Sequence, residues 1–337
     1  MRNKKFVFVA LLLAVSLAVV ACGDDDAAEC DITIGLVYDL GGRGDQSFND
    51  SAAVGLDRAK ADFDIADECV TELEPSAGGE NREELLNLVA DQGADLVLAI
   101  GFLFAESVQA AATAHPDTSF GVVDTVVEAT NVRGMLFAEH EGSFLVGAAA
   151  ALKSETDHIG FIGGVEIELI QKFEAGYVAG ARAINPDIIV DVAYISQPPD
   201  FSGFNDPAKA QEIATGMFDA GADVVYAAAG GSGGGLFQAA REAGAWAIGV
   251  DSDQALTAPD FADVIMTSMI KRVDTAVYST IEDFVSGEFT TAPVEYGIAD
   301  GGIGYATTGG HVADIADQLD AFIEQIQAGT IVVPTTP

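Results

Sequence analysis

Apolar and polar positions along the first half of the chain fall into two alternating kinds of block. Short, nearly unbroken apolar runs at 34–38, 96–100 and 120–123 have the length and composition of buried strands, and 70–73 completes a set of four. Between them, apolar residues recur three and four apart over 47–60, 82–92 and 106–114, the spacing of amphipathic helices. Breakers mark the joins: Gly41, Gly42 and Gly44 follow the first run, Gly93-Ala94-Asp95 ends the second helix, and His115-Pro116 stops the third. Four strand–helix steps in succession predict a parallel sheet covered by helices.

The same rhythm returns in the second half. Strands are predicted at 159–162 and 190–195, helices at 172–184 and 208–219, and a polar loop at 197–205. Asp206 and Pro207 supply the cap and first-turn residue of the later helix. Gly221-Ala222-Asp223 then repeats Gly93-Ala94-Asp95, each opening a buried strand, and Asp124 and Asp251 follow the two aspartates by 29 and 28 positions. The pattern predicts an α/β protein of two similar lobes, each a doubly wound parallel sheet flanked by helices. The chain would pass between lobes three times: in the apolar stretch 132–137, near Val250 and Asp251, and over 293–298. That assigns 30–137 plus 251–290 to lobe I, 138–250 plus 291–330 to lobe II, and 331–337 to a tail, with a last helix at 313–326. Three passages let two lobes close on a ligand by hinge bending.

The length of 337 residues accommodates two such domains, and a hydrophobic content of 49% supports a sizeable core in each. Charge narrows the function. Fifteen Lys and Arg stand against 53 Asp and Glu, a net charge of −38, which excludes nucleic acid as a partner. The acids are spread along the chain, as on a solubilising surface. Residues 1–21 read as a signal peptide, with Arg2, Lys4 and Lys5 ahead of an apolar run at 6–20 that is too short for a membrane span. Val19-Val20-Ala21-Cys22 resembles a bacterial lipobox, which implies cleavage before Cys22 and a lipid on its thiol. Residues 22–29 then form an acidic tether from an extracytoplasmic membrane surface. Export permits a disulfide, and Cys30 and Cys69 each precede one of the first two strands. Neighbouring parallel strands start side by side, so a Cys30–Cys69 bridge is expected.

Nothing in the sequence nominates an activated nucleophile or a poised general base. The stretch Gly230-Gly231-Ser232-Gly233-Gly234-Gly235 follows a strand and opens a helix, but it matches neither the dinucleotide nor the P-loop fingerprint. Its glycines suit close approach of backbone to a ligand. His115, His140, His158 and His311 are scattered, none at metal-ligand spacing. No enzyme, cofactor or metal is expected. The polar residues at strand ends are more informative. Asp39, Asp124 and Asp251 each end a buried strand, Phe48 and Asn49 open the first helix, and Lys271 follows the strand at 264–268. In open α/β sheets, ligands bind outside the carboxyl ends of the strands. Carboxylates there accept paired hydrogen bonds from a diol, and an aromatic face suits a small polar aromatic molecule.

Residues 33–60, with Tyr-Asp-Leu-Gly-Gly-Arg-Gly-Asp-Gln-Ser-Phe-Asn at 38–49, resemble the opening of the basic membrane protein family, the PnrA-like substrate-binding lipoproteins of ABC transporters. The likeness continues in order through 100–104, 131–145, 160–166, 172–177, 229–233, 248–254 and 267–271, nearly the whole mature chain. It implies a type I periplasmic-binding fold that captures a purine nucleoside and delivers it to permease and ATPase subunits. In that family, residues at the positions of Asp39 and Asn49 hydrogen-bond the ligand, Phe48 stacks on the base, Asp124 binds the base edge, and Asp251 and Lys271 hold the ribose. A second aromatic closes the sandwich, with Phe237 the first candidate and Phe204 the reserve. Riboflavin in the same fold, a surface sensor, and a nucleoside-acting enzyme are the alternatives.

Overall fold

The computed structural model describes residues 30–337, so the expected signal peptide, Cys22 and the tether lie outside the described residues. The first half forms β1 (Ile34–Val37), α1 (Phe48–Asp62), β2 (Val70–Leu73), α2 (Arg82–Asp91), β3 (Leu96–Ala99), α3 (Ala105–Ala114), β4 (Ser119–Val123) and β5 (Val132–Phe137). There follow α4 (Glu139–Lys153), β6 (His158–Val165), α5 (Glu168–Ile184), β7 (Ile189–Ser196), α6 (Pro207–Ala220), β8 (Val224–Ala228), α7 (Gly233–Ala243), β9 (Trp246–Asp251), α8 (Gln254–Thr257) and β10 (Ile265–Lys271). The chain ends with α9 (Val273–Ser286), β11 (Val294–Tyr296), β12 (Ile303–Tyr305) and α10 (Ala316–Gln327).

These elements build two six-stranded sheets, ordered β11-β5-β4-β3-β1-β2 and β12-β10-β9-β8-β6-β7. Every pairing is parallel except that of β12 with β10. β1 lies between β2 and β3, with Ile34 opposite Val70 and Leu96, and its four residues are all buried. A strand covered on both faces needs apolar side chains pointing both ways, which is why β1 reads as a continuous run rather than an alternation. The Cys30–Cys69 disulfide joins the leads into β1 and β2, whose Cα atoms at the bridge are 5.7 Å apart.

The lobe assignment from sequence needs three corrections. The stretch 132–137 is not a passage but strand β5, parallel to β4 in the first sheet; the chain leaves that sheet at Ala138. Residues 251–271 do not return to the first lobe, because β10 pairs with β9 in the second sheet, so the second passage falls at Arg272. The third lies between β11, which pairs with β5, and β12, which pairs with β10. Each miss has one cause. A run of apolar residues declares a strand, but the sheet it joins is decided by long-range partners that no local window contains.

Each lobe has an apolar cluster of its own, around Val97 and Phe104 in the first and Leu236 and Phe237 in the second, and a larger one joins them. That larger cluster runs from Ile34 and Leu36 through Met135, Phe137 and Phe144 to Ile159 and Tyr226. The closest helix pair in the second lobe is α4 against α5. A Cβ at Gly180 would stand 1.9 Å from the Phe144 carbonyl oxygen, and one at Gly147 would stand 2.1 Å from that of Tyr177. Only glycine lets these backbones meet.

Candidate functional site

The carboxyl ends of the two sheets face each other across a cleft of about 660 Å3, its mouth included. That is the size of a small-molecule site. The first lobe contributes Asp39 after β1, Asp45, Phe48 and Asn49 around the start of α1, Phe102 after β3, and Asp124 after β4. The second contributes Leu169, Ile170 and Phe173 on α5, Phe204, the backbone of Ala229 to Gly231, Asp251 and Lys271. Asp39, Phe48, Asn49, Asp124, Asp251 and Lys271 therefore all line one space, as the sequence leads one to expect.

The turn before α1 is organised by its own side chains. Asp45 accepts hydrogen bonds from the backbone N–H groups of Ser47, Asn49 and Asp50 at 2.9, 2.8 and 3.1 Å, capping the helix start. The Asn49 side-chain oxygen accepts from the Asp39 N–H at 2.9 Å, and its amide nitrogen donates to Asp45 at 3.0 Å. Much of Asn49's hydrogen-bonding capacity is thus spent on holding the turn. The turn in turn grips the other lobe. Gln254 Nε2 and Thr257 Oγ1 donate to the Gln46 carbonyl at 3.0 and 2.8 Å, and Ser252 Oγ donates to the Ser47 carbonyl at 3.1 Å.

The carboxylates differ in their partners. Asp39 accepts from Arg82 at 2.7 Å and from the Leu40 N–H at 2.8 Å; burial pushes its carboxyl up, and both partners oppose the shift. Arg82, the first residue of α2, escaped the sequence reading, since nothing local links a helix-start arginine to a strand 43 residues earlier. Asp251 accepts from Ser47 Oγ at 2.6 Å. Burial pushes its carboxyl up to about 7, against the pull of Lys271 and the Ser47 hydrogen bond. Asp124 and Asp251 both carry left-handed backbone, with φ of 66° and 64°.

Lys271 is buried between the lobes. Its ammonium lies 2.7 Å from Asp124 and 3.3 Å from Glu139, over the rings of Phe137, Phe48 and Phe173 at 4.9, 5.2 and 5.7 Å. Burial works against its charge, but Asp124, Glu139 and Asp251 outweigh it and raise its pKa. Cation–π attraction to the three rings adds to this.

Phe237 is a correction. It is fully buried on the inner face of α7, packs against Phe261 at 5.9 Å between ring centres, and does not line the cleft. An aromatic just after a glycine loop reads equally as a ligand contact or as the apolar face of the next helix, and here the helix face prevails. Phe204 lines the cleft instead, edge-on to Phe102 at 6.3 Å. Phe173 also faces the space and was missed, because on α5 it reads as one more core position.

Among the described residues no group of His, Cys, Asp or Glu could hold a metal ion. The four histidines lie outside the cleft lining. No helix among the described residues is long and apolar enough to cross a membrane.

Two facing parallel sheets, three passages and a ligand-sized cleft between strand ends define a hinged solute-binding protein. Residues 32–336 match the family described as "ABC transporter substrate-binding protein PnrA-like", and the chain belongs to that family. It is 33% identical to the "CD4+ T-cell-stimulating antigen" of Listeria innocua, each chain covered completely. It is 32% identical to the "ABC transporter nucleoside-binding protein BmpA" of Lactococcus lactis, with 99% of each chain covered. Among solved structures it resembles an ABC transporter solute-binding protein from Aeropyrum pernix, with a TM-score of 0.78, 28% identity, and 90% and 94% of the two chains covered. The protein is a non-enzymatic substrate-binding component that serves a permease and an ATPase.

Proposed function

We propose that the protein captures a purine nucleoside between its lobes and hands it to the permease. The observation that carries this reading is an aromatic-walled cleft with buried carboxylates from both lobes. Phe48 enters from the first lobe, Phe204 and Phe173 from the second, and Asp124 and Asp251 stand at matching strand ends. Phe48 covers one face of the base and Phe204 the other, each stack worth about 1–3 kcal/mol. Asp124 takes a donor on the base edge, while Asp251 and Lys271 take the ribose hydroxyls. Asp39 adds a further acceptor, and Asn49 works mainly by shaping the turn that presents Phe48. The name of the Lactococcus relative points the same way. Cys22 carries the lipid that anchors the protein outside the cytoplasm, with 23–29 as tether.

Thermal unfolding of a protein comprising residues 24–337, against nucleosides, free bases, ribose and riboflavin, tests the cargo. A ligand bound only by the folded state stabilises it by about 2.7 kcal/mol at a hundredfold excess over Kd. Guanosine, inosine or adenosine raises Tm on this reading, and bases or ribose alone do not. A rise with riboflavin alone keeps the binding role and replaces the cargo.

A further inference from the structure

Glu139 lies close behind the cleft and does not line it. It is the first residue of α4, one position past the passage at Ala138, and is 0% exposed. Neither of its carboxylate oxygens has a hydrogen-bond partner among the described residues. Two ammonium groups face it instead, Lys271 at 3.3 Å and Lys172 at 3.6 Å. A carboxylate buried without hydrogen bonds destabilises a fold unless charge compensates, and a neutral residue would fill the same space at less expense.

Its surroundings say what it does there. Lys271 is the last residue of β10, one position before the passage at Arg272. Asp124 ends β4 in the other lobe, and both its oxygens lie 2.7 Å from the Lys271 ammonium. One of them, Oδ1, is buried without a hydrogen bond, and Asp124 lines the cleft. Lys271 is thus shared between a ligand-facing carboxylate of the first lobe and a hidden carboxylate of the second. Alone with Lys271, Asp124 would be a closed ion pair with little left to offer a ligand donor. With Glu139 drawing the ammonium from behind, Asp124 keeps an acceptor for the cleft.

We propose that Glu139 is a positioning residue for ligand capture: a counter-charge at the lobe junction that holds Lys271 in place and leaves Asp124 free to accept from the ligand. Its location beside two of the three passages makes the arrangement sensitive to the angle between the lobes. The groups that set the charge there are Asp124, Glu139 and Asp251 around Lys271, with Lys172 on the far side of Glu139.

The test compares wild type, Glu139→Gln and Glu139→Asp. The readouts are guanosine affinity by calorimetry, thermal unfolding, and the 13Cε resonance of Lys271 followed with pH. Glu139→Gln keeps the shape and removes the charge. It is expected to weaken guanosine binding by tenfold or more with Tm equal to or above wild type, to lower the pH at which Lys271 loses its proton, and to be partly rescued in Glu139→Asp. Equal guanosine affinity in wild type and Glu139→Gln overturns the proposal, as does a Glu139→Asp variant no better than Glu139→Gln. The ligand arm rests on the nucleoside reading. If wild type binds no guanosine, that reading fails, and the Lys271 resonance decides: an earlier loss of the proton in Glu139→Gln supports the role, and an unchanged titration overturns it.

Discussion

Asp124 and Asp251 occupy the same place in the two halves of the molecule and meet different company. Each follows a Gly-Ala-Asp turn, a buried strand, a glycine-containing loop and a helix, and each closes the next strand with left-handed backbone. Aspartate is among the few side chains that tolerate this conformation, and it turns the carboxylate off the line of the strand. From there the halves diverge. Asp124 faces the Lys271 ammonium at 2.7 Å, so its charge is matched. Asp251 is held at hydrogen-bond distance by a hydroxyl, Ser47, and burial lifts its carboxyl to about 7. One backbone device delivers two carboxylates, one facing an ammonium and one facing a hydroxyl. The family resemblance assigns the ribose diol to Asp251 and the base edge to Asp124, and a ligand diol would add donors to a carboxyl that burial disfavours as a charge.

If that division is right, removing Asp251 has the largest effect on binding. Hydrogen bonds to a charged group contribute about 1.5–3 kcal/mol each, so losing two should weaken nucleoside affinity by roughly 100- to 10,000-fold. The fold of Asp251→Ala should survive, because the carboxyl removed is one whose charge burial disfavours. Calorimetry with guanosine measures the affinity and thermal unfolding the fold.

The next largest effect is that of pH. Asp251 has a raised carboxyl in the folded protein, so its protonated form favours the ligand-free fold; on its account stability falls as pH rises from about 4 to about 7. Ligand hydroxyls need the ionised form. Guanosine affinity should therefore rise with pH and level off above 7, and at pH 5.5 only about one molecule in thirty has the site ionised. Titrations at several pH values check this, and Asp251→Asn should flatten the profile.

Aromatic substitutions come third and fourth. Phe48→Ala removes one stacking face and should weaken binding by about 1–3 kcal/mol, for guanosine and adenosine alike. Phe237→Ala should leave the affinity of the folded protein unchanged but destabilise it by about 3–5 kcal/mol, the cost of emptying a fully buried aromatic position. Denaturant unfolding separates the two variants.

The contrast between Phe48 and Phe237 also marks what the chain discloses before it is folded. Strands and helices were legible because burial on both faces makes a strand a continuous apolar run and burial on one face gives a helix a period of 3.6. Asp39, Asp124 and Asp251 were legible because an acid interrupting an apolar run at a strand end has few structural reasons to be there. Phe237 misled because aromatic residues serve cores and ligands equally well, and only the face of α7 they fall on distinguishes the two. Arg82 and Glu139 were invisible for a different reason. Arg82 reaches the cleft through Asp39, 43 positions away, and Glu139 through Lys271, in a strand of the second sheet. The passages between lobes were misplaced on the same ground, since β5 and β10 declare themselves as strands but not as members of a particular sheet.

The division of labour between the two aspartates is tested most directly by titrating wild type and Asp251→Ala with guanosine and with 2′-deoxyguanosine. Wild type should prefer guanosine by tenfold or more, since the deoxy ligand leaves a buried acceptor unpaired. In Asp251→Ala both should bind weakly and equally. Wild-type affinity for guanosine in Asp251→Ala, or an undiminished preference for the ribose form, would contradict the assignment of the sugar to the second lobe.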